Sequence, residues 1–394
     1  MTTTTQAPPV VPGSTAHSDG AFVPVQTRSE RPASYDPADF EIPSGREVNW
    51  KYTPVAKLAP LFVDEAGPHG TMTVTVSAPS TVEQSELRIG ESPRGDVFIP
   101  EDRPAAIAWT QETVAPLMRI PAGVELDEPI VIELAGDGGL AHAHVVLEAM
   151  PNSRGTVVFR HSGSAWHAQN VEIIVRDGAH LEVVSIQQWS DDAVHLSSHQ
   201  ARVDKDATLR HVVVSFGGAI VRVNPSVELA GAGSRGELYG LSYSDAGQHL
   251  ESQVYLHHKG PHTKGDVLYK GALQGRGARS VWIGDVLIGP DATGTDSYEA
   301  NRNLVLTDGA RADSIPNLEI ETGDIAGAGH ASATGRFDDE QLFYLQARGI
   351  SEDEARRLVV LGFLSEIVQK IGLPALEGEL IAAIEAELTL ELGS

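Results

Sequence analysis

Between about residues 71 and 320, short runs rich in Val, Ile and Leu alternate with turns of Gly, Asp, Asn and Ala. Examples are TMTVTVSA (71–78), AHVVLEAM (143–150), GTVVFRH (155–161) and VEIIVRD (171–177). Helical spacing is nearly absent here, and β-branched runs bounded by turn formers predict strands. The turns themselves repeat. VRDGAHLEVV (175–184), VDKDATLRHV (203–212), LAGAGSRGEL (229–238) and LHHKGPHTKGDV (256–267) begin about 26 to 28 residues apart. LTDGARADSI (306–315) falls about two such steps further on. A fixed period of this size marks coils stacked on one another, each strand pairing with its equivalent one coil later. Gly and Asp at the corners supply the tight bends and positive φ angles that other residues resist. The expected fold is therefore mainly β, with a parallel β-helix core. An immunoglobulin-like sandwich, the alternative, has turns every ~8–12 residues without the longer repeat.

The flanks follow other patterns. Residues 1–40 are rich in Thr, Pro and Ser and bury too little to offset ordering, so a disordered tail is expected. REVNWKYTPVAKLAPLFV (46–63) has amphipathic helical spacing, with Trp50, Val55, Leu58 and Leu61 as core contacts, and forms a helical segment within 41–70. The β-helix core is expected over 71–335. After Gly335 three helices are expected, making a C-terminal helical domain over 336–394. The first ends at Gly349, a good residue just past a helix. The second opens with Ser351 and Glu354 in capping-box spacing and ends at Gly372, and Pro374 starts the third. Leu358, Leu361, Phe363, Leu364, Ile367 and Val368 cover more than one narrow stripe of the second helix. These helices are expected to pack on the end of the solenoid or on another protein.

Composition narrows the function. Asp and Glu number 54 against 29 Lys and Arg, a net charge of −25, with no dense basic block. That disfavours nucleic acid and anionic membrane surfaces as partners. No apolar run approaches the ~20 residues needed to span a bilayer. The N-terminal MTTTTQAPPVVPGS lacks the charged and apolar regions of a secretory signal. The chain has 0 cysteines, which excludes disulfides and thiolate ligands and fits a cytoplasmic location.

Several groups are candidates for chemistry. His142 and His144 share a strand face, and His257, His258 and His262 cluster in LHHKGPHTKG, but zinc-ligand spacing is missing. Asp291, Asp296 and Glu299 form a carboxylate set of the kind a β-helix polysaccharide-active enzyme uses. Neither a phosphate-binding G-x-x-x-x-G-K-[ST] nor a G-x-S-x-G elbow is present. GDIAGAGHASATG (323–335) sets one imidazole, His330, among small residues, as a ligand, an interface group or turn filler.

TDSYEANRNLVLTDGARADSIPNLEI (295–320) and GHASATGRFDDEQLFYLQARGISEDEARRLVVLGF (329–363) resemble the SufB/SufD family of iron–sulfur cluster assembly scaffolds, as does NWKYTP (49–54). The resemblance implies a right-handed parallel β-helix core with N-terminal and C-terminal α-helical parts. It also implies a non-catalytic role: a SufB–SufD pair whose C-terminal helices dock the SufC ATPase, with ATP-driven motion reshaping the interface where the cluster forms. A chain without cysteine resembles the SufD branch, binds no cofactor stably alone, and meets a transient iron–sulfur cluster in the complex. His330 falls on the histidine that this branch sets at the SufB interface as a cluster or iron ligand. Ala328 stands where some members carry a cysteine. Val359, Val360, Leu361, Phe363 and Leu364 are the expected ATPase-docking surface. Arg336, Asp338, Asp339 and Glu340 would set the junction between coil and helices. A self-standing, homodimeric iron-binding protein is the further alternative.

Overall fold

In the computed structural model, which describes residues 31–64, 70, 72–336 and 339–392, the repeating turns join strands that stack in parallel. The chain begins with β1 (Met72–Ser77), β2 (Glu83–Arg88), α1 (Arg103–Gln111) and β3 (Val114–Ile120). Two long strands follow, β4 (Ile130–Ala149) and β5 (Arg154–Val175). Then come β6 (His180–Trp189), β7 (Val194–Val203), β8 (Thr208–Ser215), β9 (Ile220–Leu229), β10 (Arg235–Ser244) and β11 (His249–His258). The stack ends with β12 (Lys264–Leu273), β13 (Arg279–Ile288), β14 (Thr295–Val305), β15 (Arg311–Ile320) and β16 (Ile325–Arg336). β5 pairs with β6 through its first half and with β7 through its second, so it serves two parallel sheets. One sheet continues β6-β8-β10-β12-β14-β16, the other β7-β9-β11-β13-β15. This is the expected parallel β-solenoid. The register Trp166, Val194, Ile220, His249, Arg279, Arg311 marks successive coils at steps of about 26 to 32 residues, longer toward the end than the turns alone imply.

The corners bear out the turn chemistry. Asn152, Gly178, Asp206, Gly233, His262 and Gly294 all have positive φ, one per coil. Each of Asn152, Gly178, Asp206, Gly233 and His262 donates its amide to a carbonyl of the next coil. At the bend of β5, a Cβ on Gly163 would lie 2.1 Å from the Gly136 carbonyl, so only glycine fits.

Three expectations about the flanks need correction. Residues 46–63 do not form one amphipathic helix but two 3-10 turns, Val55–Lys57 and Ala59–Phe62. Pro54 and Pro60 lack the amide hydrogens that an α-helix would use. Trp50, Leu58 and Leu61 are nevertheless buried, against Ala168, Val194, Leu196 and Ile220 of the β7 sheet. Secondly, the core does not begin as coil at 71: β1 is antiparallel to β4, and β2 is antiparallel to β3. Beside them α1, which the turn pattern did not signal, is capped by the Asp102 side chain on the Ala105 amide. Thirdly, the C-terminal helices α2 (Asp339–Gln346), α3 (Glu352–Val368) and α4 (Pro374–Leu392) do not cap the end of the solenoid. α3 and α4 lie along its flank, burying Val360, Leu364, Ile367, Val368, Leu380 and Ile384 against outward residues such as Val184, Val212 and Leu241. The predicted Ser351 cap and Pro374 start are both present. Among the described residues no helix is long and apolar enough to cross a membrane.

Between the two sheets the interior is apolar along the corner just described and polar toward the other. His161, His167, His195, His199 and His211 are fully buried there with Gln169, Gln187 and Ser197. His161 contacts the Ile186 carbonyl and Gln169, while His199 Nδ1 lies 2.8 Å from His211 Nε2. Burial holds His161 and His211 down at about 4 and His167 at about 3. These rings are therefore neutral in the folded chain, whereas the unfolded chain titrates near 6.5. The stability they contribute is complete above that value and is lost as pH falls toward the folded values, because unfolding takes up protons across the window. Denaturant unfolding between about pH 7.5 and 4.5 should show a midpoint that falls steadily below about pH 6.5, with uptake of several protons per molecule. A midpoint flat across that range would contradict a neutral buried column.

Candidate functional site

The two sheets end on β15 and β16, each with one edge unpaired among the described residues. Open parallel edges of 10 and 12 residues are templates for another chain. His330 sits in the middle of β16 with its side chain 46% exposed. Its neighbours Gly329, Ala331 and Ser332 leave it uncrowded, and Gly329 packs toward the ring of Tyr298. The adjoining Ala328 packs against the apolar interior and offers no thiol.

Register explains what lies beneath His330. In the column Val157, Val183, His211, Leu238, Val267, Glu299, His330, each residue stacks on its equivalent one coil earlier. All members before His330 are buried, and Glu299 is the single carboxylate. Its side chain is 1% exposed, and neither oxygen accepts a hydrogen bond of normal geometry among the described residues. His330 Nδ1 is 3.9 Å from Glu299 Oε1. Burial pushes the Glu299 carboxyl up to about 8, and the nearby Asp285 charge adds to the rise, against a weak opposing pull from the Asn317 amide. Asp285 itself accepts from the Asn317 side chain at 2.7 Å. Opposite, a Cβ on Gly284 would come within 2.4 Å of Glu299 Oε2, so glycine there makes the space the carboxylate fills. An accessible imidazole above an enclosed carboxyl can exchange a proton with it or share a bound group.

The other candidate residues are not brought together. Asp291 and Asp296 are exposed on the outside of the coil while Glu299 points inward, so the three do not line one groove. His144 is buried 3.6 Å from Glu172, edge-on to Phe98 and Trp109. His142 is half-buried. His258 is enclosed and bonded to Thr263 and Ser297, and His257 lies beside Tyr255. His262 is one of the corner residues with positive φ. Among the described residues no three His, Asp or Glu side chains converge as a metal site.

At the C-terminal helices, Val360 and Leu364 are buried in the chain's own core, and Val359, Leu361 and Phe363 are half-buried. Phe363 is covered by the Lys270 ammonium, which also bonds the Phe363 carbonyl at 2.8 Å and pairs with Glu366. Two of the five predicted docking residues thus face the solenoid rather than solvent, because α3 must cover the apolar sheet beneath it. The exposed apolar side chains lie elsewhere: Phe343 (72%), Tyr344 (55%) and Leu358. Their signal in the sequence was the adjacent Phe-Tyr pair on a short helix, too apolar for a solvated face. Arg336 pairs with Asp308 at 2.8 Å. Asp338 and the side chains of Asp339 and Glu340 lie outside the described residues.

Comparison with known proteins follows this geometry. Residues 132–363 match the family model described as SUF system FeS cluster assembly, SufBD core domain. An iron–sulfur cluster assembly SufBD family protein of Mycobacterium bovis is 49% identical over 387 residues, covering 96% of this chain and 97% of its own. One from Mycobacterium leprae is 48% identical, covering 91% and 93%. A second SufBD family protein of M. leprae is 27% identical over 268 residues, covering 64% of this chain but 30% of its own.

The buried carboxyl has a measurable cost. The folded group ionises only near 8 and the unfolded one near 4.5, so the contribution of this one group becomes destabilising as pH rises through that interval, opposite in sign to that of the buried histidines. Glu299→Val, which repeats Val267 of the preceding coil, should stabilise the metal-free chain. The gain should grow from about pH 4.5 to about 8 and reach on the order of a few kcal/mol. A difference between Glu299→Val and wild type that is the same at pH 5 and pH 8 would show that the carboxyl is not enclosed in solution.

Proposed function

This chain belongs to the SufBD family of iron–sulfur cluster assembly proteins, and we propose that within it the chain is a SufD-type scaffold subunit. In this reading it catalyses no reaction itself and acts in the cytoplasm. It pairs with a SufB-type subunit through the open end of the solenoid and docks a SufC-type ATPase on its C-terminal helices. The nascent iron–sulfur cluster is cargo held at the first interface, and this chain keeps no cofactor of its own.

The observation that carries the reading is His330, exposed at the open end of a cysteine-free chain. Iron–sulfur clusters are held chiefly by thiolates, so a subunit without any cannot be the principal ligand source. A neutral imidazole is a good iron ligand and can supply one position to a site that another subunit completes. Among the described residues the outer edges of β16, which carries that histidine, and of β15 are unpaired and offer a second subunit backbone groups to pair with. The two SufBD family proteins of M. leprae, one matched along nearly its whole length and one much longer, are consistent with two unequal branches.

For the ATPase, the exposed apolar side chains Phe343, Tyr344 and Leu358 offer the better surface, since Val360 and Leu364 are committed to the solenoid. ATP-driven rearrangement of the docked ATPase would then pull on α2 and α3. α3 and α4 are tied to the coil stack: Lys270 bonds the Phe363 carbonyl of α3, Arg210 donates to the Lys370 carbonyl just after α3, and Arg160 grips Glu379 of α4 with both nitrogens. Movement of the helices is thereby linked mechanically to the sheet that ends in His330.

A tagged chain drawn from its source cells should bring both partner types with it, and recovery of neither would sink the proposal. Sedimentation of the chain alone, then with the SufB-type subunit, distinguishes a heteromer from self-pairing. His330→Ala should lower cluster yield on the reconstituted complex several-fold while ATPase association is unchanged. Phe343→Asp with Leu358→Asp should weaken ATPase binding at least tenfold without moving the unfolding midpoint. Removing the helices altogether is a poor test, because it strips cover from Val184, Val212 and Leu241.

A further inference from the structure

From the pairing of Glu299 with His330 on successive coils, we propose that Glu299 is a second iron ligand of this chain, an inner carboxylate beneath the exposed imidazole. The inference rests on the proposed role of His330 and extends it to a residue that never reaches the surface.

Three observations carry it. The first is cost: Glu299 interrupts an inward column otherwise filled by Val, Leu and His, and among the described residues its carboxyl has no hydrogen bond of normal geometry and no Lys or Arg partner, only the smaller pull of the Asn317 amide. Buried carboxyl groups are ordinarily paired or coordinate a metal, since an isolated charge in the interior is strongly penalised. No Lys or Arg side chain pairs with Glu299 among the described ion pairs; the basic group near it is His330, while the Asp285 charge adds to the penalty. A cation held between the two would supply the missing positive charge.

The second observation is distance. First-row divalent ions bind imidazole nitrogen and carboxylate oxygen at ~2.0–2.2 Å, which sets two ligands of a tetrahedral ion ~3.3–3.5 Å apart. The 3.9 Å from Nδ1 to Oε1 is about half an ångström longer, a gap that rotation of the half-exposed His330 ring would close. Imidazole with carboxylate is a donor set suited to ferrous iron.

The third is space. Gly284 leaves the volume that Glu299 Oε2 occupies, and Gly329, Ala331 and Ser332 keep bulk away from the outer side of the imidazole. Two ligands come from within this chain, and the remaining positions open toward whatever pairs with the last coil. Iron could be received at such a half-site before sulfide and thiolate from the partner complete a cluster.

The test uses Co2+ as a spectroscopic stand-in for ferrous iron, titrated anaerobically into the full chain in complex with its SufB-type partner. Ligand-field absorption gives the dissociation constant, and gel filtration checks that each complex is intact. Glu299→Gln and Glu299→Val should each weaken binding at least tenfold, as should His330→Ala, while both Glu299 variants match or exceed wild-type thermal stability. That stability separates a lost ligand from a damaged fold. Wild-type affinity in both Glu299 variants, with loss only in His330→Ala, would overturn the carboxylate ligand and leave the histidine reading standing. Unchanged binding in all three variants, or no Co2+ bound by the wild-type complex, would overturn both.

Discussion

In a parallel stack each residue lies over its equivalent one coil earlier, so the interior is filled column by column. A side chain that departs from its column must be accommodated by the neighbouring coil. Tyr269 is bulky because Gly240 beneath it is bare: a Cβ on Gly240 would fall 2.1 Å from the tyrosine ring. Trp282 and Glu299 are likewise accommodated by Gly284. The same constraint groups the polar residues. Once His161 faces inward, the groups near it must satisfy imidazole, and Gln169, Gln187, His195 and Ser197 gather around it. Register therefore governs both the apolar core and the neutral histidine column.

Stacking solves the interior but leaves two outer faces and two ends. The chain covers each face early in the stack with its own flanking segments. Trp50, Leu58, Leu61 and Phe62 lie on one sheet, with the Arg222 guanidinium 3.8 Å over the Trp50 ring and the buried Glu251 beside it. Helices α3 and α4 lie on the other sheet. β1, β2, β3 and α1 close the first end. α3 reaches as far as β14, where Glu366 lies near Arg302 and Leu304 packs on the helical cluster, and among the described residues β15 and β16 are left as the end strands. A solenoid requires its exposed end to be capped, and here the chain has spent its helices on the flank.

The chemistry collects where the stack stops. Inside the stack, an unpaired carboxyl would be only a penalty. One coil from the open end it sits next to a side chain that solvent reaches, and in the proposed half-site that cost is what a bound cation would offset. Glu299 and His330 occupy adjacent rungs of one column for the same reason that Val157 and Val183 do.

Much of this was legible without coordinates. The turn period announced coils, Gly and Asp marked the corners, Ser351 and Pro374 marked helix starts, and the small residues around His330 singled it out. Each of these is a local property, fixed by backbone conformations that few residue types tolerate. The histidine column was not legible, because alternate residues in FRHSG and HLSSHQ acquire meaning only once two sheets face each other. The flank position of α3 depended on knowing that Val184, Val212 and Leu241 point outward, which strand parity alone leaves open. Glu299 was noticed for the wrong company, grouped with Asp291 and Asp296 by nearness in sequence. Residues two or three apart on a strand can point to opposite sides of a wall, while residues 31 apart stack within contact. The sequence by itself determined the period, the corners and the imidazole set among small residues. Only the tertiary structure decided which side of the wall each polar group occupies, because that follows from the pairing register between coils.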